Sequence, residues 1–214
     1  MVAAKAEPVG CRTRSGQGRG LDQGALARTK KGALQIGAWL VFEDETGFSL
    51  SPPIRRTWAP RGRTPVLRYR FHWQRVSAAG FLCYRADGSR ARLYLHTQPG
   101  SYTSDILIPA LRALHRRLRA PVILIWDGLN CHWSHKMAAF VGSQKWLQVE
   151  RLPGYAPDLN PCEGLWANLK GGALANRAEE TIGQVAEIAH RSARRAAHSQ
   201  QLLFGFLAQT GLSF

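Results

Sequence analysis

The sequence predicts an α/β fold in which a mixed sheet is flanked by helices, and three observations predict it. The run Val122–Trp126, VILIW, is apolar at every position, which is typical of a strand buried on both faces. Residues 101–118 before it have helical spacing, so strand, crossover helix and strand follow one another, as in a parallel pair. Residues 181–197 form an amphipathic helix that can cover the sheet. With 214 residues, the chain has the size of one ordinary domain.

The chain begins with a segment that we predict to be a basic, largely unstructured leader. Residues 1–36 hold seven basic and two acidic side chains, many glycines and little apolar periodicity. Within them, residues 24–36 have the spacing of a short helix, and no helix-turn-helix pattern is visible. We therefore divide the chain into this leader, a core at 37–175 and C-terminal helices at 176–214 that pack on the core.

The first core strand is predicted at residues 37–45, GAWLVFEDE, and is expected to end at Thr46-Gly47. Strand alternation puts Asp44 on one face and the flanking Glu43 and Glu45 on the other. Asp44 is therefore expected where a buried strand emerges from the core. Glu43 and Glu45 are interpreted as structural residues.

Residues 55–92 combine ten arginines and several aromatic side chains with one acidic residue, Asp87. We predict strands at 66–84 and 92–97, joined by a hairpin turn at 86–89. The arginine stems could cover the apolar surface of a solvated sheet face, or the ribbon could bind DNA phosphates. The excess of positive charge favours phosphate binding, and the net charge of +15 points to a polyanionic partner. The arginines are Arg55, Arg56, Arg61, Arg63, Arg68, Arg70, Arg75, Arg85, Arg90 and Arg92.

A further helix is predicted to begin at Asn160-Pro161, with Asn160 as its N-cap and Pro161 at its first position. Glu163 then occupies the third helical position. Taken alone, this arrangement favours a capping box between Asn160 and Glu163. The remaining predicted elements are a helix at 132–141, a strand at 146–152 and a segment at 202–207 that packs back on the core.

Three carboxylates, those of Asp44, Asp127 and Glu163, are thus expected at the ends of buried elements. In an α/β sheet, functional sites form at the carboxyl ends of strands. Clustered carboxylates repel each other unless cations neutralise them, and hard oxygen ligands suit Mg²⁺ or Mn²⁺. Two such ions about 4 Å apart would activate a hydroxyl and stabilise the leaving oxygen at a phosphodiester. A basic protein with such a cluster is predicted to be a nuclease or a strand transferase.

Four stretches, FEDETGFSL, RRTWAPRGRTPVL, VILIWDGLNCHWS and LPGYAPDLNPCEGLWANLK, resemble the DDE endonuclease domain of mariner-superfamily transposases, in the bacterial insertion-sequence branch. The resemblance covers roughly residues 39–175. It implies a ribonuclease-H-like fold, a metal-binding triad of Asp44, Asp127 and Glu163, and cleavage and strand transfer at insertion-sequence ends. Gly128 stands where many members of the family have Asn. The implied partners are double-stranded DNA and, on that DNA, a second copy of the chain.

Other residues are weaker candidates for this site. His132 is interpreted either as orienting substrate or a metal-bound water, or as a surface histidine that caps the next helix. Asn130 is either a secondary contact or a turn former. Lys170 either touches a phosphate or complements the end of its helix, and Trp166 is predicted to lie in the core. The candidate DNA-binding residues are Arg55, Arg56, Arg61, Arg63 and Lys170.

Family members have a DNA-recognition region before the catalytic domain, and here only the basic leader precedes it. We therefore expect a truncated copy, or the second product of a split gene with a separately encoded recognition protein. A catalytically silent DNA-binding remnant is the alternative hypothesis. The four cysteines include no CxxC pair, which argues against a zinc site. No apolar run approaches transmembrane length, so we expect a bacterial cytoplasmic protein without membrane contact.

Overall fold

The computed structural model describes residues 23–63, 65–69, 73–153 and 157–212, so most of the predicted leader lies outside the described residues. A mixed five-stranded sheet forms its centre, with strand order β3-β2-β1-β4-β5. The strands are β1 (Trp39–Ser49), β2 (Arg75–Arg85), β3 (Ala91–Gln98), β4 (Val122–Trp126) and β5 (Leu147–Arg151). The α-helices are α1 (Gln23–Gln35), α2 (Ser104–Leu118), α3 (His135–Ser143), α4 (Pro161–Asn168), α5 (Ile182–Ala197) and α6 (Gln200–Ala208).

The sheet combines an antiparallel meander with a parallel pair on each side of β4. Strand β2 pairs antiparallel with β1 and β3, whereas β4 lies between β1 and β5 and is parallel to both. Helix α2 makes the crossover into β4, as the order of apolar patterns predicted. The mixed α/β architecture expected from the sequence is therefore confirmed.

Each face of the sheet is covered by its own set of helices. Leu40 and Phe42 of β1 belong to the hydrophobic cluster that includes residues of α4, α5 and α6. Val41, one position between them, belongs to the cluster formed with α2 and α3. The Tyr84 hydroxyl donates a hydrogen bond of 2.9 Å to the carbonyl of Leu203, so α6 packs back on the sheet as predicted. Among the described helices, none has both the length and the apolar character needed to cross a membrane.

Helix α4 packs so closely on β2 that only glycine fits beneath it. A Cβ atom on Gly80 would lie 2.7 Å from Cη2 of Trp166 and 3.0 Å from Cδ2 of Leu165. At the start of the same helix, the Cys162 thiol lies 3.5 Å from the carbonyl oxygen of Phe42. The helix is therefore held directly against the strand that carries Asp44.

Three element boundaries differ from the predictions. Strand β2 begins at Arg75, so the strand predicted from residue 66 was wrong. Val66 is 78% exposed and Trp73 is 79% exposed, so the alternating pattern there has no core to cover. Strand β1 continues through 46–47 to Ser49 because those residues pair with β2.

The third difference concerns the helix predicted at 132–141. Residues Asn130–Trp133 form a 3₁₀ turn, and α3 starts after Ser134. The Ser134 hydroxyl accepts a hydrogen bond of 3.1 Å from the backbone N–H of Met137, which is N-cap geometry. The helix therefore begins three residues later than the apolar spacing predicted.

Candidate active site

Asp44 and Asp127 lie at matching positions of two adjacent parallel strands. In the register of β1 and β4, Phe42 pairs with Ile125, and each aspartate follows its paired residue by two positions. Both carboxylates thus stand at the carboxyl-terminal edge of the sheet, where α/β proteins form their sites. The sequence predicted each strand, and the parallel pairing is what brings the two residues together.

Helix α4 brings Glu163 to the same edge. The Asn160 side chain accepts a hydrogen bond of 3.1 Å from the N–H of Cys162, which confirms the predicted N-cap. The backbone N–H of Asn160 donates to the carbonyl of Pro157 at 2.9 Å, so the capping box with Glu163 was wrong. The Glu163 side chain is exposed and lies close enough to Asp44 to repel it.

Asp44 is partly buried and is held by one strong donor. The indole N–H of Trp166, one turn after Glu163, donates to Asp44 Oδ2 at 2.8 Å. Burial raises the pKa of Asp44 from its ordinary 3.8 to about 6; the Trp166 hydrogen bond opposes this, while repulsion from Glu163 and Asp127 adds to it. Trp166 is 4% exposed, so it is a core residue as predicted, and its contact with Asp44 was not foreseen.

Asp127 is held from the opposite side by His132. Nδ1 of His132 lies 3.2 Å from Oδ1 of Asp127, and the backbone N–H of Leu129 donates to the same oxygen at 3.0 Å. Burial acts to raise the pKa of Asp127, but these hydrogen bonds outweigh it and hold the pKa below its ordinary value. Asp127 is therefore the more readily ionised of the two aspartates.

His132 lies in the core of the site, so its interpretation as a surface histidine was wrong. It is 3% exposed, and its ring stacks on Trp126 with 4.0 Å between the ring centroids. Its Nε2 lies 3.3 Å from Glu45 Oε1 and 3.4 Å from Glu43 Oε2. Burial acts to lower the pKa of His132, but hydrogen bonds to Asp127, Glu43 and Glu45 raise it to about 12, so the ring is a cation at neutral pH.

Glu43 and Glu45 occupy the face opposite Asp44, as strand alternation predicted. Glu43 is fully buried, and burial raises its pKa to about 8. The contact of this pair with His132 was missed: Nε2 lies 3.3 Å from Glu45 Oε1 and 3.4 Å from Glu43 Oε2, so the two side chains form a clamp around the ring nitrogen. The signal in the sequence was a pair of glutamates, two residues apart, on the buried face of an otherwise apolar strand.

The candidate DNA-binding residues fall into two groups. Lys170, in the π-helical turn Leu169–Ala173 that follows α4, donates to Thr46 Oγ1 at 2.5 Å, two residues beyond Asp44. Arg55 lies in an irregular exposed segment, where its backbone N–H donates to the Asn176 side chain at 2.9 Å. Arg56, Arg61 and Arg63 are exposed in the same segment.

The remaining predictions on this region have mixed outcomes. Residues 65–69 form no strand, so the strand predicted from residue 66 was wrong there, whereas phosphate binding by the arginine-rich stretch at 55–92 stays a prediction. Arg70, the Asn130 side chain and residues 154–156 of the closing motif lie outside the described residues.

Comparison with known proteins finds one family model and several solved structures that resemble the chain. Residues 39–186 match a family model described as the DDE superfamily endonuclease. The solved structure of a Mos1 transposase paired-end complex with the left transposon end is 18% identical, with a TM-score of 0.62, and the match covers 96% of this chain and 63% of that one. The mariner Mos1 paired-end complex with Mg is 18% identical with a TM-score of 0.55, covering 99% and 68%.

These likenesses confirm the predicted ribonuclease-H-like fold. The chain spans less than two thirds of the length of the first of these structures. Comparison with curated proteins gave no match. The family match extends over more than half of the chain and includes Asp44, Asp127 and Glu163. The chain therefore belongs to the DDE superfamily of endonucleases.

Proposed function

We propose that this chain is the catalytic domain of a DNA transposase, which cleaves DNA strands at insertion-sequence ends and joins them to target DNA. The observation that carries the proposal is the convergence of three carboxylates at one sheet edge. Asp44 and Asp127 follow the paired residues Phe42 and Ile125, and α4 holds Glu163 beside Asp44. The structural neighbours in transposon-end complexes support DNA ends as the substrate.

We propose Mg²⁺ or Mn²⁺ as the cofactor, with two ions held by Asp44, Asp127 and Glu163. Two of the neighbouring solved structures are mariner Mos1 paired-end complexes, one with Mn and one with Mg. The donor set fits hard divalent cations, and the raised pKa of Asp44, about 6, reflects burial and the repulsion that such cations relieve. When bound, the ions supply activation of the attacking hydroxyl and stabilisation of the leaving oxygen.

The side chains around the triad orient its carboxylates before any substrate arrives. Trp166 engages Oδ2 of Asp44, and His132 engages Oδ1 of Asp127, so each aspartate keeps one carboxylate oxygen for other ligands. Because His132 is itself held by two glutamates, it acts as a rigid positioning residue for Asp127. Water attacks the phosphodiester first, and the freed 3′-hydroxyl then attacks target DNA.

We further propose that the partner is double-stranded DNA, bound by a homodimer in the bacterial cytoplasm. The net charge of +15 supports DNA binding, and it equally supports the second candidate, a catalytically silent DNA-binding remnant. Lys170, tethered to Thr46 near Asp44, and the arginines of residues 55–63 are the proposed phosphate contacts. Both candidates bind DNA, so only metal-dependent cleavage separates them.

The test is Mg²⁺- or Mn²⁺-dependent nicking of supercoiled plasmid by the purified chain. We expect nicking by the wild type and its abolition in Asp127→Asn and Glu163→Gln. Glu187→Gln, which changes an exposed carboxylate on α5, is the matched control and should nick normally. DNA binding without nicking by any variant favours the silent remnant, and equal nicking by Asp127→Asn contradicts the triad assignment.

A further inference from the structure

A guanidinium group lies against the backbone immediately after Asp127. Arg151 is the last residue of β5, where it pairs with Trp126 of β4. Its side chain extends over Gly128, because a Cβ atom at that position would lie 2.5 Å from Nη2 and 3.3 Å from Cζ of Arg151. The guanidinium thus occupies the space that any side chain at position 128 would need.

An aromatic ring holds the same guanidinium from a second direction. Cζ of Arg151 lies 4.9 Å from the ring centroid of Trp133, which is cation–π geometry. Trp133 ends the 3₁₀ turn that also carries His132, and 49% of its surface is exposed. Arg151 therefore lies at the surface between the backbone of Gly128 and the indole ring of Trp133, and both neighbours limit the positions its guanidinium can take.

The position of this cation suits a phosphate group. The carboxyl end of β5 lies at the same sheet edge as Asp44 and Asp127, and the guanidinium lies over Gly128, the residue that follows Asp127. A guanidinium offers five N–H donors in a planar fork that matches two phosphate oxygens. An exposed cation with restricted motion loses little entropy when it binds an anion.

We propose that Arg151, held by Gly128 and Trp133, binds a phosphate of the DNA strand adjacent to the bond that is cleaved. This inference rests on the proposed function, because it takes the carboxylate edge as the place where DNA lies. It adds to that function a binding site for a phosphodiester on the β5 side of the triad. The proposed phosphate contact Lys170 lies on the opposite side of β4, because it donates to Thr46 of β1 and β1 and β5 are the two neighbours of β4 in the sheet.

The test measures DNA affinity separately from cleavage. A fluorescein-labelled duplex is titrated with the full chain in a Glu163→Gln background with Mg²⁺, and anisotropy gives Kd at several salt concentrations. Each phosphate contact releases about 0.9 counterion when the protein binds DNA. The loss of one contact therefore lowers the association constant about eightfold at about 0.1 M salt. Arg151→Ala is expected to weaken binding by about that factor and to make the plot of log K against log salt shallower by about 0.9.

Two further variants test whether DNA binding depends on the position of the Arg151 guanidinium or only on the total positive charge of the protein. Gly128→Ala keeps every charge but displaces the guanidinium, so it should weaken binding in the same direction by a smaller factor. Arg117→Ala is the matched control, because Arg117 is an exposed arginine that packs over Tyr94 at 5.4 Å at the end of α2. It should leave the salt dependence unchanged. Circular dichroism confirms folding, and Arg151→Lys replaces Arg151→Ala if the latter fails to fold.

The outcomes distinguish this inference from the proposed function. Unchanged affinity and salt dependence in Arg151→Ala and Gly128→Ala, in a protein that nicks plasmid, overturn the phosphate site alone. An equal loss in Arg117→Ala also overturns it, because the effect is then one of general charge. A loss confined to Arg151 and Gly128 variants of a protein that does not nick supports phosphate binding by Arg151 and favours the silent DNA-binding remnant over the catalytic proposal.

Discussion

Replacing Asp44 by Asn is expected to stabilise the metal-free protein while removing its activity. The Asn carbonyl can still accept the hydrogen bond that Trp166 donates to Asp44. The raised pKa of Asp44, about 6 against an ordinary 3.8, means that ionising this carboxylate in the folded protein costs about 3 kcal/mol. Because the side chain is only partly buried, screening reduces this figure, and we expect a gain of about 2 kcal/mol in the free energy of unfolding at pH 7.

The pH dependence of this gain follows from the direction of the pKa shift. Between pH 3.8 and about 6, the unfolded chain has released the Asp44 proton whereas the folded chain still holds it. The wild type therefore loses stability relative to Asp44→Asn as the pH rises through this window, and the difference stays constant above it. At pH 4 the two proteins should be nearly equal in stability.

The assay is urea denaturation in EDTA at pH 4 and pH 7, followed by the same measurement with Mg²⁺. Mg²⁺ should stabilise the wild type more than Asp44→Asn, because the ion removes the repulsion that makes the wild-type site costly. Asp158→Asn, in the exposed turn before α4, is the control and should change stability by less than about 0.5 kcal/mol. An Asp44→Asn protein that is no more stable than the wild type at pH 7, or a gain that persists at pH 4, would refute the reasoning.

Two further substitutions test the packing and the charge cluster. Gly80→Ala should lower the free energy of unfolding in urea by about 1–3 kcal/mol, because the added Cβ would press on the Trp166 ring. Gly47→Ala is its control and should not destabilise the fold, because a Cβ at position 47 would have no atom within 4 Å. His132→Ala should cost about 3 kcal/mol at pH 6 and less at pH 8, because the pKa of His132, which burial acts to lower, is raised from 6.5 to about 12 by its carboxyl neighbours. The stability that its proton contributes is therefore complete below pH 6.5 and falls as the pH rises. Exposed His198→Ala is its control, and a loss independent of pH contradicts the clamp.

The parts of the fold that the sequence predicted are those where periodicity and burial agree. The run Val122–Trp126 is buried at all five positions, and residues 181–197 form α5 with Thr181 as its N-cap. The strand predicted from residue 66 failed because alternation alone does not show whether a core exists for the apolar face to cover. Tyr69 stands between two arginines and is 42% exposed, and Val66 is 78% exposed.

The candidate site divides in the same way. Asp44, Asp127 and Glu163 were identifiable because each lies close to the end of an apolar run or the start of a helix in the sequence, although β1 continues past Asp44 to Ser49. The partners of these carboxylates were not identifiable, since Trp166 reaches Asp44 across 122 positions of sequence, and His132 reaches Glu45 across 87. Such contacts depend on strand order and helix placement, which local patterns do not encode.

The two aspartates differ in pKa because their hydrogen-bond partners differ in charge: Asp127 contacts His132, and Asp44 contacts the neutral Trp166. Asp127 is held by a buried imidazolium and keeps a low pKa, so it is a ready ligand before metal binding. Asp44 receives one neutral donor, Trp166, and faces two carboxylates, so its ionisation is costly until a cation arrives. In the proposed metal site, metal binding and the charge of Asp44 are therefore expected to be coupled. We infer that protonation of Asp44 below about pH 6 competes with the metal, whereas Asp127 remains charged and available.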